Sequence, residues 1–147
     1  IASVSSIKLL GVHLNNELRW GPQSAAAIAK GQAWITQFTR IAHASRGVTA
    51  ATMHRLYLAV CVPRILYSAD LFLASLASNH RILITGAKER ERGVVKKLRT
   101  IQRRAALAIT GALSSTPTDI LDAYANLLPI EHLISKARFQ VGLRLST

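Results

Sequence analysis

Between residues 92 and 110 the apolar positions Val94, Leu98, Ile101, Ala105 and Ile109 recur at steps of three and four. At about 100° per residue they fall on one arc of a helix, and such an arc has to be covered by a core. Lys88, Arg92, Lys96, Arg99 and Arg103 fall on another arc, within about a quarter of the circumference. The spacing predicts a helix from about Lys88 to Thr110, with Gly111 just past its end. One side of that helix is packed and another is cationic.

The rest of the chain can supply the core. It has 147 residues, 50% of them hydrophobic but only 5% aromatic. A single domain of this size buries roughly 68–70% of its unfolded surface. With few aromatics, that core is built from Leu, Ile, Val and Ala, and the supply of Ala and Leu favours helix.

Other segments repeat the helical pattern. From Gln23 to Ser45, Ile28, Gly31, Ile35, Phe38 and Ala42 line one face, with Arg46-Gly47 as a stop. Thr49 reads as the next N-cap, followed by Met53, Leu56, Tyr57 and Val60. Pro63 is expected to break or kink that helix, with a second apolar helix resuming near Ile65 and fading by Ser78-Asn79. "NHRILITGAK" reads as a connector. Thr116, Pro117 and Asp119 read as N-cap, first helical residue and first-turn acid of a further helix, and Pro129 with Glu131 opens the last one. Only "SIKLLGVHL" (Ser6 to Leu14) reads as extended, with Gly11 as a bulge or close approach, before a turn at "NNELRWGP" with Trp20 as an anchor. The expected fold is mainly α: a short N-terminal strand or hairpin followed by a bundle of about five or six helices.

Lys plus Arg number 19 against seven Asp plus Glu, a net charge of +12. That charge opposes compaction, and an anionic partner relieves it. Residues 88–104 hold eight of the 19 cations and two acids, Glu89 and Glu91. A merely solvated face more often mixes signs. A nucleic-acid backbone or an anionic membrane surface accounts for the imbalance.

Leu56–Ala77 is long enough to cross a bilayer, but it contains Pro63, Arg64 and Asp70. A charge at mid-membrane costs about 2.5–3.5 kcal/mol, so a buried helix pair is expected instead. The first residues lack the basic start and apolar core of a signal peptide. A chain starting with Ile reads as cut from something longer, and a lone Cys61 fits an intracellular compartment, cytoplasmic or nuclear.

Catalytic patterns are not found. Asp119 and Asp122 share a helical turn, where complementing the dipole explains them. His13, His43, His54, His80 and His132 include no pair at the i, i+4 spacing of a helical metal site. Cys61 reads as a buried, inert thiol.

Four motifs carry a resemblance. "IKLLGVHLNNELRW" (Ile7 to Trp20) resembles the "K-Y-L-G-V-x-L-D-x-x-L-x-W" segment of reverse transcriptases of non-LTR (LINE-type) retrotransposons. There it follows the polymerase palm and forms the primer grip. Lys8, Leu10, Gly11, Val12, Leu14, Leu18 and Trp20 match; Leu9 stands where an aromatic is usual, and Asn15 or Asn16 where an Asp is usual. "LYLAVCVPRILYSADLF" (Leu56 to Phe72) is similar to "L-Y-x-x-V-x-x-P-x-L-L-Y-G-x-x-x-W", with Ser68 for Gly and Phe72 for Trp. "LRTIQRRAALAITGALSSTPTDIL" (Leu98 to Leu121) and "LLPIEH" (Leu127 to His132) are similar to the segments that follow in that family.

The resemblance implies that residues 1–20 end the palm, that 21–80 form thumb-like helices, and that 81–147 form connector helices containing the basic helix 88–110. It implies part of an RNA-directed DNA polymerase without its catalytic centre: the family's "F-x-D-D" aspartates lie upstream, and Mg2+ is expected there rather than in this chain. The implied partners are an RNA/DNA template–primer duplex, the upstream palm and a possible downstream RNase H domain, with no small-molecule ligand. The residues expected on phosphates are Lys88, Arg92, Lys96, Arg99 and Arg103, followed by Lys8 and Arg19. The alternative is a basic helical module on an anionic membrane surface or a protein partner.

Overall fold

The computed structural model describes residues 6–16, 20–42, 47–73 and 85–146, with the backbone alone at 85–91 and at residue 145. A two-stranded hairpin, β1 (Ser6–Leu9) and β2 (Val12–Asn15), precedes the helices. These are α1 (Gly21–Ile41), α2 (Ala50–Leu56), α3 (Val62–Ile65), α4 (Ala69–Phe72), α5 (Thr85–Thr110), α6 (Thr118–Tyr124) and α7 (Ile130–Ser146). The mainly helical class and the N-terminal hairpin are as expected.

The extended segment Ser6 to Leu14 is not one strand. Leu10 and Gly11 both have positive φ, +48° and +83°, as a two-residue I′ turn requires, and the chain reverses there. The antiparallel register pairs Ile7 with Leu14 and Lys8 with His13. Gly11 is also a point of close approach, since a Cβ there would stand 3.5 Å from the ring of Tyr67.

α1 starts two residues earlier than its apolar pattern suggested, with Pro22 in its first turn, where no donor is needed. It ends at Ile41, and residues 43–46, including His43, lie outside the described ones. Thr49 caps α2 as expected, its Oγ1 accepting from the Thr52 N–H at 3.4 Å. Pro63 does not break the chain's helical course. A wider π turn at Tyr57–Cys61 leads into α3, and there Val62 N–H donates to the Tyr57 carbonyl, five residues back. Pro63, which has no N–H to place, follows in the first turn of α3. The next helix is short: Ser68 takes a left-handed conformation before α4, and residues 74–84 lie outside the described ones.

α5 begins at Thr85, three residues before its expected start, and Gly111 (φ +66°) closes it in the left-handed region, its N–H on the Leu107 carbonyl. The start of α6 lies one residue later than expected. The Pro117 carbonyl accepts the first intrahelical bond, from Leu121, so Pro117 is the cap and Thr116 stands outside the helix.

One apolar cluster joins all the longer helices: Ile28, Ile35 and Phe38 of α1, Met53 of α2, Leu98, Ile101 and Ala105 of α5, Leu121 of α6, and Ile130 and Ile134 of α7. Gly31 lets α1 lie close to its neighbours, for a Cβ there would come within 2.8 Å of Ile101 Cδ1 and 2.9 Å of Ile65 Cγ2. The buried Tyr57 hydroxyl donates to Gln102 Oε1 (3.4 Å), and Gln102 Nε2 donates to Asp122 Oδ1 (3.1 Å) and to the Leu128 carbonyl (3.0 Å). Asp122 is thus a buried acceptor between α5 and α6, beyond the dipole role its spacing suggested. Among the described residues no helix is long and apolar enough to cross a membrane.

Candidate nucleic-acid interface

The inner arc of α5 is buried as the periodicity required: Leu98 and Ala105 are fully covered, and Val94, Ile101 and Ile109 nearly so. That fixes the rotation of the helix, and with it the direction of the cations. Arg92, Lys96 and Arg99 point into a groove of about 600 Å³ between α5 and α7, floored by Val95 and Ile134. The facing helix adds Arg138 and Glu131. Among the described side chains, four cations and one acid thus line a trough with an aliphatic floor.

Glu131 sits in the first turn of α7, where the helix dipole favours an acid. It pairs with Arg99, whose Nε donates to Glu131 Oε1 at 3.1 Å and whose Nη2 donates to the same oxygen. Burial pushes the Glu131 carboxyl upward, but the hydrogen bond from Arg99, a backbone hydrogen bond and the Arg99 charge outweigh it and hold the carboxyl below its usual range. The Arg99 guanidinium is raised in turn by the Glu131 hydrogen bond and charge.

The other expected contacts separate. Arg103 is engaged within the fold's surface: Nη1 donates to Thr118 Oγ1 (2.9 Å) and Nη2 to the Ser114 carbonyl (2.7 Å), tying α5 to the start of α6 and to the loop before it. The Lys88 side chain and the whole of Arg19 lie outside the described residues. Lys8 belongs to a second concavity, of about 540 Å³, where Lys30 of α1 and Arg64 of α3 join it beside Pro63 and Tyr67. The hairpin is held there by the Tyr67 hydroxyl, which donates to the Leu10 carbonyl at 2.7 Å, and by His13 N–H on Gln23 Oε1 at 3.0 Å.

Arg138, Lys30 and Arg64 were not expected. Arg138 follows Glu131 by seven residues and Ile134 by four, a spacing that puts all three on one stripe of α7. The stripe was visible in the sequence; its opposition to α5 was not. Lys30 and Arg64 carry no such signal, because their meeting with Lys8 depends on three elements distant in sequence.

Cys61 and His54 serve the fold. Cys61 is fully buried, and burial pushes its thiol up to about 12 despite the opposing charge of Arg64. His54 Nε2 bonds the Asn126 carbonyl at 3.1 Å, joining α2 to the loop before α7. Among the described residues no group of three or more His, Cys, Asp or Glu could hold a metal ion. Comparison of the chain with protein-family models, with curated proteins and with solved structures finds no match to any of them.

Proposed function

We propose that this chain holds a nucleic-acid duplex by its phosphates, without sequence preference, as the thumb and connector of a reverse-transcriptase-like polymerase. The observation that carries the reading is the α5–α7 groove, which Arg92, Lys96, Arg99 and Arg138 line together with Glu131 among the described residues. Lys96 and Arg99 lie three residues apart on α5 and Arg92 four before Lys96, a spacing that follows successive phosphates. The groove offers charge and an aliphatic floor rather than a set of base-reading amides, which suits a surface that must accept any sequence. Lys8, Lys30 and Arg64 form a second phosphate contact beside the hairpin. The motif resemblance supplies the polymerase context.

An anionic membrane is the weaker reading. Much of the apolar content of Leu56–Leu73 faces inward: Tyr57, Cys61, Ile65, Ala69, Phe72 and Leu73 are all buried, and so are withheld from a lipid surface.

The test is fluorescence anisotropy of a labelled RNA–DNA hybrid titrated with the chain at several salt concentrations. With three to four groove contacts, log affinity falls against log salt with a slope of about −2 to −3, and two unrelated sequences bind alike. A flat salt response, or flotation with anionic liposomes in place of duplex binding, overturns the proposal.

A further inference from the structure

Among the described side chains lining the groove Glu131 is the one acid, and it occupies a cation the proposed duplex contact uses. The pair sits within reach of water, with the Arg99 side chain 60% exposed and Glu131 41% exposed. Both Arg99 donors converge on one carboxylate oxygen, Oε1. A guanidinium fork can engage two oxygens at once, on a carboxylate or a phosphate alike, and here it engages only one of Glu131's two. A water-exposed ion pair of this kind is weak and exchangeable. Nothing about the core depends on it, since the aliphatic floor beneath is already packed by Val95 and Ile134.

We infer that Glu131 sets a charge-density threshold on this groove: its carboxylate stands in for a phosphate on Arg99, and only a polyanion that engages Arg92 and Lys96 at the same time displaces it. The physics is competition between a tethered anion and a free one. Glu131 is held beside Arg99 by the fold, at an effective concentration of about 1 mM or more. An isolated phosphate meets one cation at a time and gains little over the carboxylate already there. A duplex carries one charge about every 1.7 Å of its axis and meets several cations in one event. Glu131 thus makes the groove discriminate polynucleotide from small phosphates. When the duplex binds, the displaced carboxylate takes up a solvent cation, so the wild-type chain releases about one counterion fewer than its cation count suggests.

The inference rests on the duplex-binding reading, and the experiment separates the two. Binding of a labelled RNA–DNA hybrid is measured for the wild-type chain, Glu131→Gln, Glu131→Ala, Arg99→Gln and the Arg99→Gln/Glu131→Gln double variant. Inorganic phosphate serves as competitor, and thermal melts confirm that each variant is folded. The expected result is that both Glu131 variants bind the hybrid about two- to fivefold more tightly. Their salt slope steepens by about 0.7–0.9, and inorganic phosphate competes at a lower concentration than against the wild-type chain. In the Arg99→Gln background the gain vanishes. Glu131 variants that bind equally or more weakly overturn the inference and leave duplex binding intact. An equal gain in the Arg99→Gln background also overturns it, since that would be the general effect of a more positive chain. Absence of salt-dependent binding by every form overturns the functional proposal itself.

Discussion

The two cationic concavities use the same chemistry on very different supports. The α5–α7 groove hangs from two long helices whose inner residues, Leu98 and Ile101 on one and Ile130 and Ile134 on the other, belong to the central apolar cluster. The concavity around Lys8, Lys30 and Arg64 depends on a hairpin that contributes no residue to that cluster. Ile7 and Leu9 of β1 are 62% and 57% exposed, and a two-stranded hairpin alone is marginally stable. Hydrogen bonds from Tyr67 and from the His13 amide help keep its place. In the groove the cations are placed by core packing before any ligand arrives. At the hairpin one of three cations is placed by contacts worth about 1 kcal/mol each.

The most damaging way to break this contrast is Leu98→Ala. Leu98 is wholly buried under the groove, so its truncation should cost about 2–5 kcal/mol in urea unfolding. A loss below about 1 kcal/mol would mean that the core does not hold the groove in place. Next comes Arg92→Gln with Lys96→Gln, which should leave the melting temperature nearly unchanged and make the salt slope shallower by about 1.4–1.8, two contacts' worth. If that pair changed stability and not binding, the groove would be structural only.

Tyr67→Phe should be milder and local. Loss of the hydroxyl on the Leu10 carbonyl should cost about 1 kcal/mol, read as faster amide exchange in the hairpin while the helices stay protected. Global unfolding by this variant would erase the difference between the two supports. The smallest effect belongs to Glu131→Gln on stability, below about 1 kcal/mol for so exposed a pair. Its sign with pH is definite. The Glu131 carboxyl is lowered in the folded state, so its contribution is complete above the ordinary carboxylate range and fades as pH falls through the folded value. Urea midpoints of wild type and Glu131→Gln should converge on acidification; divergence there would contradict the ion pair.

Much of this architecture could be read from spacing. Steps of three and four placed α1 and α5, Pro129 with Glu131 announced the start of α7, Thr49 that of α2, and Gly111 the end of α5, because each signal is local to one helix. The hairpin turn was hidden because Leu10, not glycine, takes the first left-handed position. Asp122 was misjudged because its partner, Gln102, lies 20 residues away on another helix. Arg99 and Arg103 show the limit most plainly. They share one face of α5, a turn apart, and nothing in the pattern separates them. One meets a carboxylate at the groove, and the other meets a loop carbonyl and a threonine. Periodicity gives the direction of a side chain, while the neighbour that awaits it is a property of the packed whole.

The wide turn before Pro63 also governs phase. Met53, Tyr57, Cys61 and Ile65 are all buried at a strict interval of four. In an uninterrupted α-helix each interval of four overshoots a full rotation by about 40°, so such a stripe would wind off the core within three steps. The extra residue absorbed at Tyr57–Cys61 winds it back, and so aims Arg64 at the hairpin while Cys61 and Ile65 stay inside. Deleting one residue there would leave a helix in place but rotate everything downstream, turning a cation and a phenol away from the strand they serve.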